Sequence, residues 1–151
     1  METDGIRRRF ELYADLLEDI HLQQVRLYAR RQSASAPSSP SWDGMPGGGG
    51  VPGDRIGNAA AAAVDLEREI AALVDTAAAE KGALERIMAG LNAREKAVIR
   101  LHYFDRFDWP AVADTVCMSD RGARGLCQRA FEKLERMGLY ETNTTDMRSV
   151  P

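Results

Sequence analysis

The sequence predicts an all-α fold: a long, coiled-coil-like helical hairpin followed by a helix-turn-helix unit. Three observations lead there. Apolar residues recur at alternating steps of four and three along two stretches, Ile6 to about Arg31 and Asn58 to Gly90. Between them lies QSASAPSSPSWDGMPGGGGVPGD, where serine, proline and glycine stop any helix. After them come three short helix-forming segments separated by tight breaks, and no stretch alternates as a strand would.

The first helix falls within residues 1–34. Its seam runs Ile6, Phe10, Tyr13, Leu17 and Ile20, weakens at Gln24 and resumes at Leu27. The flanking positions are charged, among them Arg7, Arg8, Arg9, Glu11, Asp15 and Glu18. Gln24 either fixes the register of the pair or is a solvated flaw. Residues 35–57 form a loop in which Gly47 to Gly50 supply a free turn. Trp42 and Met45 in that loop are expected to fold back over the helix ends, the alternatives being contact with a partner or disorder.

The second helix, residues 58–90, carries Ala59, Ala63, Leu66, Ile70, Leu73 and Ala77, a polar interruption at Glu80, then Leu84, Ile87 and Leu91. At 1.5 Å per residue it is a rod of about 50 Å. Only the first helix or another copy of the chain can cover it, so an antiparallel hairpin is expected. Surplus seam would pair with a second subunit, and Leu66, Ile70, Leu73, Leu84 and Ile87 are the candidate oligomerisation residues.

Residues 91–140 form the third part. Asn92 and Glu95 have the spacing of a capping box. Val98, Ile99, Leu101 and Tyr103 make a broad apolar face, and DRFD breaks that helix. WPAVADTV is a second short helix, with Pro110 in the first turn, where proline is tolerated. CMS is a tight corner, and Ser119 caps the last helix. The last helix turns Ala123, Leu126, Cys127, Ala130, Phe131 and Leu134 inward, and Gly138 is placed to stop it. Residues 141–151 read as a polar, frayed tail.

Composition narrows the function classes. The chain has 151 residues and a formal charge of −3, which neither requires nor excludes nucleic acid. No apolar run is long enough to span a membrane, and METDGIRRRF lacks a signal-peptide core, so a cytoplasmic location is expected. Cys117 and Cys127 match no zinc pattern, and Cys117 reads as a small buried apolar residue. Neither a metal nor a cofactor is expected. His102 has no triad spacing, and the glycine run is not followed by Lys–Ser/Thr, so no enzyme is expected.

The last helix carries the chemistry of DNA recognition. Arg121, Arg124, Gln128 and Arg129 stand at its front. Arginine can grip guanine edges or phosphates, and glutamine can read adenine. Residues 119–129 hold three arginines against Asp120 alone, a net of +2. Asp120 suits the helix N-terminus, accepts from a cytosine amino group, or merely caps. Ser119 lies at the same end, and Arg106, in the preceding break, is a further phosphate candidate. Gly122 and Gly125 imply close approach or are simply tolerated. The plain alternative is a three-helix bundle with solvated arginines. Trp109 reads as core beneath the second short helix.

LNAREKAVIRLHYFDRFDWPAVADTVCMSDRGARGLCQRAFEKL, residues 91–134, resembles region 4 of the sigma-70 family. With SSPSWDGMPGGGG at 38–50, the whole chain resembles the RinA-like phage late-gene activators. The resemblance covers about positions 6–137. It implies a phage or prophage regulator in a bacterial host cell that binds double-stranded DNA, contacts host RNA polymerase and activates late genes as a homo-oligomer. By position, Arg121, Arg124 and Gln128 match the groove-facing slots, and Trp109 to Val112 the supporting helix. The chain departs from that pattern at Gly122 and Gly125, where bulkier side chains are usual, and at Cys117, often a glycine. Two alternatives stand beside it: a DNA-packaging adaptor resembling a small terminase subunit, and a polymerase- or sigma-binding protein that does not touch DNA.

Overall fold

The computed structural model describes the backbone of residues 3–35 and 53–146 and the side chains of residues 5–33 and 57–138. Trp42, Met45 and the glycine run lie outside the described residues, as do positions 147–151.

All described secondary structure is helical. Helix α1 spans Thr3–Ser35, and α2 spans Gly53–Ile87 and ends in a 3-10 turn, Met88–Gly90. Helix α3 (Ala93–Ile99) runs on through a π-type turn, Arg100–Phe104. Helices α4 (Trp109–Thr115) and α5 (Asp120–Asp146) complete the chain. None of the described helices is long and apolar enough to cross a membrane.

Two boundaries differ from the sequence expectation. Helix α2 begins at Gly53 rather than Asn58. Once the alanine run at 59–63 is helical, each residue added in front of it gains a hydrogen bond without a new nucleation cost. Gly138 does not stop α5, which continues to Asp146 and so includes part of the expected tail. A glycine ends a helix by turning left-handed. Gly138 instead keeps helical backbone, and a Cβ there would stand 4.0 Å from Ile6 Cδ1.

The chain divides into two compact units that cut through both long helices: Met1–Leu17 with Ala77–Pro151, and Glu18–Thr76. In the second of these, Ile20, Leu66 and Ile70 are buried, and Arg31 bonds Glu67 across the pair. Gln24 is exposed, the solvated flaw of the two possibilities. The buried polar atom is its neighbour's, Gln23 Oε1, which has no hydrogen-bond partner among the described residues.

In the larger unit α1 and α2 run antiparallel. Arg9 pairs with Glu80 at 2.6 Å, while Ile6, a turn earlier, shares a groove with Ala83 and Ile87, further along α2. The polar interruption of the α2 seam is thus the partner of an α1 arginine. Glu80 raises the Arg9 pKa, mainly through that hydrogen bond. The core of this unit is aromatic. Phe10 meets Phe131 edge-on at 5.3 Å and Tyr103 at 5.9 Å, and Tyr13 meets Phe104 at 5.1 Å. Leu84, Met88, Val98, Ile99 and Val112 are fully buried beside Ala123, Cys127 and Ala130 of α5. Arg100 bonds Glu85 at 2.6 Å and holds its carboxyl below the usual range.

The candidate oligomerisation residues need correction. Leu66 is 3 %, Ile70 8 % and Leu84 0 % exposed, each buried in its own unit of the single chain, and Leu73 and Ile87 are half-buried. Leu66, Ile70 and Leu84 therefore find their cover within the single chain and are not left over for a second subunit. The large apolar side chains left exposed are others: Leu12, Leu22, Val25, Tyr28, Val64, Val74 and Phe107.

Candidate nucleic-acid interface

Three caps fix the last three helices. Asn92 Oδ1 accepts from the Glu95 N–H at 2.9 Å, and the Asn92 N–H donates to Glu95 Oε2 at 2.9 Å. This is the expected capping box, extended by Lys133 Nζ at 3.3 Å from the same Glu95 oxygen. Lys133 therefore ties α5 to the start of α3. Asp108 caps α4 through the Ala111 N–H at 3.0 Å, with Pro110 in the first turn. Ser119 Oγ accepts from the Gly122 N–H at 3.0 Å and caps α5.

The corner between α4 and α5 is closed by Met118 N–H to Ala113 O at 2.9 Å. It turns at Cys117, whose φ of 55° is left-handed. Side chains with a Cβ rarely hold that conformation, and glycine holds it freely. This corrects the expectation that Cys117 is buried. It is exposed because the corner turns its side chain outward, while Cys127 is the buried thiol. Burial pushes the Cys127 pKa up to about 11. Arg106, with φ 60°, is likewise left-handed and exposed in the 105–108 break.

Helix α5 packs on both α3 and α4. Its front is left over an open cleft of about 900 Å³, to which Ser119, Arg121, Arg124, Gln128 and Arg129 contribute. Arg121 and Arg129 are exposed, and no carboxylate among the described residues pairs with either. Arg124 is positioned from two sides. Asp120 Oδ1 accepts from its Nε at 3.1 Å, and its guanidinium lies 5.6 Å from the centre of the Trp109 ring.

Trp109 is half-buried rather than core. It stacks on His102 at 4.1 Å, with the planes 21° apart, and both rings line the cleft. His102 Nδ1 donates to the Phe107 carbonyl at 2.9 Å, which fixes the ring and its tautomer. Nothing in the sequence pattern linked His102, Trp109 and Arg124 into one stack, because the break at 105–108 separates them.

Gln128 is less free than expected. Its Oε1 accepts from Arg7 Nη2 of α1 at 2.5 Å, and its Nε2 donates to Glu132 at 3.1 Å. Gly122 has a local explanation: a Cβ would stand 3.0 Å from the capping Ser119 Oγ. A Cβ at Gly125 would make only ordinary contact, 3.7 Å from Arg129 Nη1. Arg106 does not line the cleft. Among the described residues no group of His, Cys, Asp and Glu side chains is placed to hold a metal ion.

Comparison of the chain with protein-family models, with curated proteins and with solved structures finds no match.

Proposed function

We propose that α4, its corner and α5 form a DNA-reading helix-turn-helix of the sigma region 4 kind, and that the protein is a sequence-specific regulator of transcription. The observation that carries this is the front of α5. Arg121, Arg124 and Arg129 project over one open cleft, with Asp120 the acid paired to one of them. Guanidinium groups on an exposed helix front are suited to guanine edges and to phosphates. The capped N-terminus of α5 adds its positive dipole end at the same place.

The resemblance at residues 38–50 and 91–134 supports extending this to a phage-encoded late-gene activator that touches host RNA polymerase. Homo-oligomerisation belongs to the same proposal, since two recognition helices multiply the contacts of one. Leu12, Leu22, Val25 and Tyr28 on α1, each more than half exposed, are apolar side chains available for it.

The test is binding of the full chain to duplexes enriched from genomic fragments. Arg124→Ala is expected to weaken the enriched duplex by about 1–3 kcal/mol, the usual worth of a good base contact. Equal affinity of variant and parent for that duplex removes Arg124 from the interface. A closed ring of many copies in solution would favour a packaging adaptor. Tight polymerase binding with no salt-sensitive DNA binding would favour a pure interaction protein.

A further inference from the structure

We infer that Arg7, delivered by α1 from outside the helix-turn-helix, is a phosphate-contacting residue of the same cleft. This rests on the DNA-binding proposal above. Arg7 lines the cleft together with Arg121, Arg124 and Arg129. It is held by two contacts that leave its charge uncancelled. One N–H donates to the neutral amide oxygen of Gln128 at 2.5 Å, and the guanidinium lies 5.2 Å from the centre of the Phe131 ring. No carboxylate among the described residues pairs with it. Glu11, the acid on the same wall, lies 3.7 Å from Arg8.

The spacing suits a duplex. Gln128 is seven residues beyond Arg121 on α5, about 10 Å along the axis at 1.5 Å per residue. The major groove is about 12 Å wide. With the Arg121 end of α5 against base edges, the Arg7 position falls at the rim, where the phosphates run. Gln128, with both polar ends engaged inside the molecule, then acts as a positioning residue for Arg7 rather than as a reader of adenine. A guanidinium already oriented by an amide and a ring loses less conformational freedom on binding than a free surface arginine.

The experiment measures binding of the full-length chain to a labelled mixed-sequence duplex as salt is raised. The parent is compared with Arg7→Gln, Arg7→Lys and, as a charge control away from the cleft, Arg94→Gln. Each phosphate contact contributes about 0.9 to the slope of log affinity against log salt. Arg7→Gln is expected to lower that slope by about one, weakening different duplex sequences alike. Arg7→Lys is expected to restore the slope, and Arg94→Gln to leave it at the parent value. Phenylglyoxal modification of the parent, read by mass spectrometry, needs no variant: duplex should protect Arg7 and not Arg94. A parent that binds with Arg7 unprotected and the Arg7→Gln slope unchanged overturns this inference alone. A parent with no salt-dependent duplex binding overturns the DNA-binding proposal and this inference together.

Discussion

Phe10, near the start of α1, meets Phe131 of α5 edge-on with ring centres 5.3 Å apart. Both rings are buried, at 0 % and 1 % exposed. The first turns of the chain are thus part of the core that supports the last helix. Emptying such a site costs both the transfer energy of the ring and the cavity it leaves. Phe10→Ala is expected to destabilise the protein by about 3–5 kcal/mol. Urea unfolding followed by circular dichroism measures this; a loss under about 1 kcal/mol would mean that the α1 ring is dispensable to the core.

The corner before α5 gives a substitution expected to stabilise. Cys117 holds a φ of 55°, which costs a residue bearing a Cβ about 1–2 kcal/mol. Glycine removes that cost but is more flexible when unfolded, by about 0.5–1 kcal/mol. Cys117→Gly is therefore expected to stabilise by up to about 1.5 kcal/mol, and Cys117→Val to destabilise. In the native parent a thiol reagent should label Cys117 and spare Cys127, since one is exposed and the other buried. A glycine variant with a lower unfolding midpoint than the parent contradicts the left-handed corner.

Alkaline pH should weaken the fold through Cys127 and Tyr103. Burial raises the pKa of both, the thiol to about 11. Unfolded thiols titrate near about 8.5. For an acid whose folded pKa is raised, the stabilisation is full below the unfolded pKa and is lost as pH rises through the folded one. The urea midpoint should therefore fall between about pH 8.5 and 11, less steeply in Cys127→Ala. Identical pH dependence of parent and variant would show that the Cys127 thiol is not shielded.

Much of the fold was legible because local rules and packing agree. The capping box at Asn92 and Glu95 and the Ser119 cap stand where the spacing puts them. So does most of the inward face of α5: Ala123, Cys127, Ala130, Phe131 and Leu134 are buried, and Leu126 is half-buried. Periodicity names a buried face but not what covers it. Hence Leu66, Ile70 and Leu84 read as oligomer contacts although they are buried within the single chain, and Phe10 gives no sign of reaching Phe131. The site was legible as a set of cations. Its internal wiring was not: the stack of His102, Trp109 and Arg124, and the Arg7 bond to Gln128, come from tertiary contacts between segments far apart in sequence. The Asp108 cap on α4 had a readable signal, an aspartate just before Trp–Pro, as N-cap chemistry prefers.

The front of α5 as a reader of duplex DNA is tested most directly by repeated selection of duplexes on the full-length chain, with parent and Arg121→Ala run side by side. The parent should converge on a reproducible sequence, and the variant should lose preference at one position of it. Rounds that enrich no sequence over input at low salt would contradict the account.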